Sequence, residues 1–369
     1  MRVQMFELER MQSLWENTVS YNLADTGAHP FTLRQLLQDE QCEQLLDEPL
    51  GYGYTNGLPE LRAAIGALYP GAGEDNVLVT NGTAEANFLA LWSCLRPGDE
   101  LLMMLPNYMQ IWGAARALGV ETKPFYLKEE LGWAPDLDQL HQAASAKTTV
   151  IAVCNPNNPT AAVLSEEAMD EIVRVAESVG AWILADEVYR GAELGGSETD
   201  TFYGRYDKVL VTSGLSKAYA LPGLRIGWLV GPQEAVSSAW AHRDYTTIAS
   251  GALSNSVAAR VLQPEMRARI LERTREHLRR NLGVLNDWIG SHGQLLHLIP
   301  PRAGGMALVR YNLDISSSEM CSSLRREKSV LVVPGACFGL EPFLRVGFGV
   351  ETQCLRAGLE LVGDYLREL

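Results

Sequence analysis

The residues that could do chemistry lie directly after short apolar runs of the chain. Asp186 ends the run 182–185, and a carboxylate at the end of a buried strand is costly unless it meets a cation or caps a helix. Both readings stay open for Asp186. Lys217 follows Val-Leu-Val-Thr-Ser-Gly in a turn of small residues. A lone lysine is usually solvated, but this tight turn would direct Lys217 inward, beside Arg225, whose guanidinium suits a phosphate.

Two polar loops also follow predicted strands. Residues 81–84 (Asn-Gly-Thr-Ala) open a helix, where free N–H groups and the positive helix end suit a phosphate, although an ordinary turn has the same pattern. Residues 155–160 contain two prolines that stiffen the loop, which could hold Asn158 in one pose or serve only as a turn. Because ligands bind beyond the carboxyl ends of strands in open α/β sheets, these segments form one candidate site.

The elements that must position these residues alternate between about residues 75 and 232. Strands are predicted at 76–80, 100–105, 149–154, 181–187 and 208–214, and helices at 83–95 and 165–180. Continuous apolar runs of this kind are typical of parallel strands buried on both faces. The alternation predicts right-handed crossovers and an α/β fold with a mostly parallel, doubly wound sheet.

After about residue 248 the pattern changes. A long charged amphipathic stretch precedes the strand-like runs GGMALVRY, VLVVPG and FLRVGF and a terminal helix. This order is typical of an α+β domain. We therefore predict a large domain over 46–248 and a smaller α+β domain formed by 1–45 and 249–369, because the first 45 residues continue no sheet pattern.

The composition restricts the class of protein and its partners. Among 369 residues, 31 Lys and Arg face 45 Asp and Glu, for a net charge of −14, which disfavours nucleic acid and anionic membranes as partners. The cysteines form no C-x-x-C pair and the histidines no H-E-x-x-H motif, so no metal site is predicted. The sequence also has no signal-peptide pattern and no apolar run of roughly 18 residues. We expect a soluble, cytoplasmic protein.

The segment 214–227 resembles the lysine signature of the class I and II aminotransferases, the fold-type I enzymes that use pyridoxal 5′-phosphate (PLP). The order of the motifs agrees along nearly the whole chain. The other matching segments are Tyr52 to Gly57, Asn155 to Thr160, Asp186 to Tyr189, Pro334 to Gly339 and Leu344 to Val346. The resemblance implies an α/β PLP-binding domain with a smaller α+β domain, and a homodimer.

The resemblance also implies roles for matching residues. Lys217 would form a Schiff base with PLP and then act as general base at the substrate Cα. Asp186 would keep the pyridine nitrogen protonated, and Arg345 would bind the substrate α-carboxylate. Asn158, which also lies near the substrate, and Tyr189 would hydrogen-bond O3′ of the ring. The remaining implied contacts are ring stacking by Tyr108, phosphate binding by Gly82, Thr83, Ser216 and Arg225, and a contact of Tyr52 with the phosphate in the partner subunit.

Three positions depart from the family pattern. Ala161 replaces the usual glycine after Asn-Pro-Thr, so we expect an ordinary negative φ there. Gly214 replaces a common phosphate-binding serine, so Ser213 or Ser216 must supply that contact or it is missing. The N-terminal segment LADTGAHPFTL lacks the usual Gly-x-Pro-x-Phe pattern and is closer to that of capreomycidine synthase-like enzymes, which leaves the substrate open.

Three functions remain open at this point. The first is transfer of an amino group between an L-amino acid and a 2-oxo acid. The second is β/γ-elimination or cyclisation, as in C–S lyases or capreomycidine synthase. The third is a non-catalytic PLP-binding module, which the acidic charge and the early start of the sheet motifs disfavour. His29 is a candidate specificity residue of the pocket, although a lone histidine is more often a surface or capping residue. The polar run 242–247 is expected to be a solvated loop or helix end without an assigned role.

Overall fold

The computed structural model describes residues 3–369. The strands are β1 (Tyr21–Asn22), β2 (Val77–Thr80), β3 (Glu100–Leu105), β4 (Glu121–Lys128), β5 (Ala134–Pro135), β6 (Thr148–Cys154), β7 (Trp182–Asp186), β8 (Val209–Gly214), β9 (Gly227–Val230), β10 (Leu296–Leu298), β11 (Met306–Tyr311), β12 (Val330–Leu331), β13 (Val333–Pro334) and β14 (Phe343–Gly347).

The α-helices are α1 (Glu7–Trp15), α2 (Leu33–Leu36), α3 (Asp39–Leu46), α4 (Pro59–Gly66), α5 (Thr83–Cys94), α6 (Gln110–Ala117), α7 (Leu137–Ala143), α8 (Glu166–Val179), α9 (Gln233–Arg243), α10 (Ala252–Val261), α11 (Pro264–Ser291), α12 (Ser317–Lys328) and α13 (Thr352–Glu368). Short 3₁₀ turns lie at Glu74–Asn76, Glu129–Leu131, Pro222–Leu224 and Gly335–Phe338. Within the described residues, no helix is both long and apolar enough to span a membrane.

Eight strands form the large sheet, in the order β2-β9-β8-β7-β6-β3-β4-β5. The neighbours from β8 to β4 are parallel, whereas β9 runs antiparallel to both β2 and β8, and β5 is antiparallel to β4. Every residue of β3 and of β8 is buried, as expected for strands covered on both faces. The predicted α/β class with a mostly parallel sheet is confirmed.

Local signals in the sequence set the helix bounds well. The side chain of Ser165 accepts a hydrogen bond from the backbone N–H of Ala168 and so begins α8. Gly180 ends the same helix with φ near 69°, in the left-handed region that glycine adopts most easily. The charged face and buried stripe of this helix follow the predicted 3.6-residue period.

A second, antiparallel sheet lies in the C-terminal region, in the order β10-β11-β14-β13. The predicted single strand VLVVPG is divided, because β12 leaves this sheet and pairs in parallel with β1. That pairing brings the N-terminal segment against the C-terminal region. Residues 1 and 2 of the predicted segment 1–45 lie outside the described residues, and the domain bounds themselves remain a prediction.

Candidate active site

A cavity of about 390 Å³ lies beyond the carboxyl ends of β2, β6, β7 and β8. Parallel strands end at the same edge of the sheet, so side chains that follow them meet there. The predicted site residues that line this cavity are Thr83, Tyr108, Asn158, Asp186, Tyr189, Ser216, Lys217, Arg225 and Arg345. Residues from four strand ends and from the C-terminal sheet therefore meet in one place.

Asp186 is a buried carboxylate held in a fixed orientation. The side-chain N–H of Asn87 donates to Oδ2 at 3.0 Å, and the backbone N–H of Val188 donates to Oδ1 at 3.1 Å. The Thr212 hydroxyl donates in turn to Asn87 Oδ1 at 2.6 Å. Burial raises the pKa of Asp186 to about 6, against its two hydrogen bonds, so this site favours a cationic partner. The segment after Asp186 is a turn, so the helix-cap alternative does not apply.

Asn87 is a positioning residue that the sequence analysis missed. It lies one turn after Thr83 on α5, and its side chain is 1% exposed. The sequence signal for Asn87 was an asparagine on the apolar face of a predicted helix, because a buried polar side chain needs a hydrogen-bond partner. The partner, Asp186, is 99 residues away in the chain.

The opposite end of the cavity is suited to a phosphate. Thr83 Oγ1 is buried at the N-terminus of α5 and has no hydrogen-bond partner among residues 3–369. Gly82 has φ near 78°, and a Cβ there would lie 2.3 Å from Nη2 of Arg225. The guanidinium of Arg225, a threonine hydroxyl without a partner and a helix N-terminus thus surround one position.

Gly214 and its neighbours explain the missing serine. A Cβ at Gly214 would lie 2.7 Å from Thr83 Oγ1 and 2.9 Å from the carbonyl oxygen of Ile226, so no side chain fits there. Ser213 donates to the carbonyl oxygen of Glu187 at 3.2 Å and does not line the cavity, whereas Ser216 lines it. Of the two alternatives, Ser216 is the serine available to a phosphate.

Arg345 is arranged to bind a carboxylate. It is 1% exposed; its Nη1 donates to Asn158 Oδ1 at 2.9 Å and its Nη2 to the carbonyl oxygen of Ala24 at 2.8 Å. Nε is buried and has no acceptor within the described part of the chain. Burial lowers the pKa of the guanidinium, but arginine stays charged at neutral pH. A buried cation with a donor still free can bind a carboxylate with strong geometric preference.

Lys217 meets a carboxylate that the sequence analysis did not identify. Its Nζ lies 3.1 Å from Oδ1 of Asp25, which also accepts a hydrogen bond from the backbone N–H of Gly27 at 2.9 Å. The charge of Lys217 is the largest cause that lowers the pKa of Asp25, to about 2. Burial pulls the pKa of Lys217 down, but the negative charge of Asp25 and its hydrogen bond favour the ammonium, and the amine pKa is raised.

The N-terminal segment makes further contacts with the predicted residues. The hydroxyls of Thr26 and Tyr189 lie 2.6 Å apart, and the hydroxyl of Tyr108 donates to Oε1 of Glu9 on α1 at 2.7 Å. Glu9, Gln12, Glu16, Asp25 and Thr26 all line the cavity. The departure of this segment from the family pattern left the substrate open, and because the segment has no familiar motif, the sequence gave no signal for these contacts.

The prediction for Ala161 is wrong. Its φ is near 57°, in the left-handed region, although alanine rarely adopts it. The backbone N–H donates to the carbonyl oxygen of Asn157 at 2.9 Å, and its own carbonyl accepts from Arg302 and Ala303. These three hydrogen bonds impose the conformation, and the methyl group is fully buried beside Tyr189.

Three other predicted positions lie away from this cavity. Tyr52 is 76% exposed and lines a separate cleft of about 200 Å³ with Tyr54 and Ser250. His29 is exposed and does not line the cavity, which agrees with the surface alternative and not with a place in the pocket. The polar run 242–247 is the end of α9 and the turn after it, as expected, and residues 244–247 are exposed.

Within that run, Arg243 is fully buried, and its Nη1 donates to the carbonyl oxygen of Val79 at 2.6 Å. The hydroxyls of Thr246 and Thr247 donate to Glu85 of α5 at 2.9 and 2.6 Å. The run therefore braces the strand end and helix that carry Thr83. Its role is structural support for the phosphate-suited loop, which the charge of the run alone did not indicate.

Comparison with known proteins decides the family. The sequence model described as aminotransferase class I and II matches residues 19–361. The chain belongs to this family. Among its relatives, capreomycidine synthase of Streptomyces vinaceus is 32% identical over 358 residues, which cover 94% of this chain and 89% of that protein.

Further relatives are aminotransferases. Aspartate aminotransferase of Streptomyces avermitilis is 29% identical over 337 residues, which cover 86% of this chain and 82% of that protein. The crystal structure of a PLP-dependent aminotransferase from Streptococcus suis has a TM-score of 0.94 and 34% identity, covering 100% of this chain and 99% of that one. The resemblance found in the sequence is confirmed, and this family member is a PLP-dependent enzyme.

The residues of the cavity fit that cofactor. Asp186 is a buried carboxylate with a raised pKa, as a partner for a ring nitrogen should be. The buried, unpartnered hydroxyl of Thr83 lies beside Arg225, where a phosphate would satisfy both. Lys217 opens into the same cavity between these two ends. These side chains therefore form a donor set that matches PLP.

Proposed function

We propose that this enzyme transfers an amino group between an L-amino acid and a 2-oxo acid. The observation that carries the proposal is the pairing of one buried carboxylate-binding group, Arg345, with one amine, Lys217, in a single cavity. An α-amino acid presents a carboxylate and a Cα–H bond at fixed separation. Anchoring the carboxylate orients that bond toward the amine that removes the proton.

Asp186 and its partners hold the cofactor end. When bound, PLP accepts the electron pair that is left when the Cα–H bond breaks, and it carries the amino group between the two half-reactions. Asp186 keeps the ring nitrogen protonated, because a buried carboxylate strongly favours an adjacent positive charge. Thr83, Ser216 and Arg225 would hold the phosphate, and Tyr108 would pack against the ring.

Lys217 moves the proton at the substrate Cα. Its Nζ would hold the cofactor, and as a free amine it would serve as the base at the substrate Cα. In the structure, Asp25 Oδ1 lies 3.1 Å from Nζ. Asn158 and Tyr189 hold the ring hydroxyl, and Asn158 also orients Arg345 through its 2.9 Å hydrogen bond.

Single-turnover measurements test this function. Holoenzyme mixed with an excess of each of the common L-amino acids, without acceptor, should convert the cofactor to its amine form. An equal amount of 2-oxo acid should appear, with no ammonia. A Lys217→Ala variant loaded with PLP is the matched control and should bind donors without releasing product. Ammonia released in step with cofactor recovery, without any acceptor, would contradict the proposal.

The second candidate is β/γ-elimination or cyclisation on the same residues. The observation that favours it is the relative capreomycidine synthase, which matches 94% of this chain. The first proton removal serves both fates, so Lys217, Asp186 and Arg345 keep their roles. Under this candidate, a donor with a leaving group at Cβ or Cγ loses that group while the cofactor returns unchanged, which the same single-turnover assay detects.

We also propose that the enzyme works as a homodimer in which Tyr52 reaches the phosphate bound to the partner subunit. Supporting this, Leu46, Leu50, Tyr52 and Tyr54 are 78%, 81%, 76% and 57% exposed, an apolar patch that favours a protein partner. Sedimentation should give twice the chain mass. Tyr52→Phe should raise the Kd for PLP without changing that mass; a monomeric active enzyme would overturn this.

A cytoplasmic location is the last part of the proposal. All six cysteines are free thiols in the structure, and burial raises the pKa values of Cys154 and Cys321, which keeps these thiols protonated. Unpaired thiols are typical of a reducing compartment. Fractionation of the source cells tests it.

A further inference from the structure

Three carboxylates from the N-terminal segment line the cavity that holds Lys217 and Arg345. Glu9 lies in α1, Glu16 follows the last residue of α1, and Asp25 lies further along the chain. We infer that this part of the cavity receives a positively charged side chain, so the amino-acid substrate carries an ammonium or guanidinium group beyond Cβ. The inference rests on the proposed binding of an amino acid and names its class.

The charges of the loaded site do not balance without such a group. The lining cations among residues 3–369 are Lys217, Arg225 and Arg345. Arg225 is matched by the phosphate and Arg345 by the substrate α-carboxylate. Asp25 pairs with Lys217 at 3.1 Å, whereas Glu9 and Glu16 have no ion-pair partner among residues 3–369.

The three carboxylates lie close enough to feel one another. The pKa of Glu16 is raised, first by burial and then by the negative charges of Asp25 and Glu9, while Lys217 opposes the shift. Like charges that share a partly enclosed space repel, and a cation placed among them removes that cost. A substrate with a carboxylate side chain would add to the repulsion and be excluded.

The acidic groups are part of a built site with an anchored opposite end. Arg345 is 1% exposed, and its unpartnered Nε marks where the α-carboxylate binds. The Tyr108 hydroxyl fixes Glu9 from the sheet side, and the N–H of Gly27 fixes Asp25. A substrate held at Arg345 and Lys217 therefore has its side chain directed into the remaining volume, where Glu9, Glu16 and Asp25 lie.

Matched pairs of amino acids test this inference by binding alone. The holoenzyme is titrated, following cofactor absorption, with L-arginine and L-citrulline, L-lysine and L-norleucine, and L-ornithine and L-norvaline. Each pair has similar length, and only the first member carries a side-chain charge. At least one cationic member should bind at least about tenfold more tightly than its partner, a difference of about 1.4 kcal/mol. If every neutral member binds as tightly as its cationic partner, the inference is wrong.

Variants assign the preference to this surface. Glu16→Gln should reduce the cationic preference at least about threefold, mainly through KM, and leave the cofactor spectrum intact. Glu7→Gln on the exposed face of α1 is the matched control and should keep the full preference. A preference that survives Glu16→Gln unchanged and does not weaken with added salt would overturn the assignment.

These outcomes are separate from the test of the reaction. If the donor releases ammonia and no 2-oxo acid, the proposed transamination fails, and the charge preference still stands. If 2-oxo acid forms but neutral donors bind as well as cationic ones, transamination stands and the inference fails.

Discussion

The two halves of the cavity are built differently. On the sheet side, Thr83, Asn158, Asp186 and Lys217 each follow or end a strand of the large sheet, and that sheet fixes their positions. On the N-terminal side, the residues that line the cavity come from α1, from the position directly after it and from the chain after β1; they are Glu9, Gln12, Glu16, Asp25 and Thr26. The sheet side holds the groups that fit PLP, whereas we propose that the N-terminal side sets the substrate class.

The two sides are joined by a few contacts. Asp25 meets Lys217, Thr26 meets Tyr189, the carbonyl oxygen of Ala24 meets Arg345, and Glu9 meets Tyr108. Each contact joins an N-terminal residue to a residue whose role the family resemblance implies. Chemistry and specificity should thus be separable: changes on the sheet side should lower kcat, and changes on the N-terminal side should alter KM for the donor.

The largest expected effect comes from Asp186→Asn on the sheet side. Loss of the buried negative charge should lower kcat/KM by about 10²–10³-fold, because the ring nitrogen would no longer be held protonated. The donor Kd should change little. Asp200→Asn, on the exposed surface, is the control. A loss confined to donor affinity would break the separation of the two sides.

The same variant should remove a pH dependence of stability in the cofactor-free protein. Folded Asp186 has a pKa of about 6 against 3.8 for a free carboxyl, so the fold loses stability as the pH rises from 4 through 6. The unfolding free energy of Asp186→Asn minus that of the original chain should therefore increase by about 2.4 kcal/mol between pH 4 and pH 7. Chemical denaturation at both pH values measures it; an unchanged difference would contradict the burial argument.

A smaller effect is expected at the phosphate-suited end. Gly214→Ser should raise the Kd for PLP about tenfold, since the new Cβ would push against Thr83 Oγ1 and the carbonyl oxygen of Ile226. Gly223→Ser, where nothing lies within 4 Å of a new Cβ, is the matched control. Fluorescence titration with PLP measures both. Tighter binding by Gly214→Ser would mean that the serine found elsewhere in the family can be accommodated.

The smallest expected effect is at Ala161. Ala161→Gly relieves a left-handed alanine but removes a buried methyl group and adds freedom to the unfolded chain. These contributions oppose one another, so the unfolding free energy should change by less than about 1 kcal/mol. A thermal or denaturant curve measures it, and a loss of more than about 2 kcal/mol would show that the methyl contact with Tyr189 dominates.

The sheet side could be predicted from the sequence because its signals are local. Buried parallel strands appear as continuous apolar runs, so their ends, and therefore Asp186 and Lys217, can be located without the fold. The antiparallel strand β9 and the division of VLVVPG into β12 and β13 were missed because pairing partners are not visible in short apolar runs.

The N-terminal side could not be predicted for a different reason. Asp25 and Lys217 are 192 residues apart, and Glu9 and Tyr108 are 99 residues apart. No periodicity in the sequence connects positions this far apart. Glu9 lies on α1 and does not follow a strand of the large sheet, so the rule that located the other site residues does not apply to it. Asn87 was missed on similar grounds, although an asparagine on the apolar face of α5 was a visible signal. Two of the three backbone hydrogen bonds that hold Ala161 at a positive φ, those from Arg302 and Ala303, also come from a distant part of the chain.

The measurement that tests the central claim most directly is reduction of the holoenzyme with borohydride followed by peptide mapping. This places a permanent mark on the amine that is bound to the cofactor. The account predicts one pyridoxyl group per chain, on Lys217, and none in a Lys217→Ala variant. A mark on another lysine, or no mark in a chain that still binds PLP and is active, would contradict it.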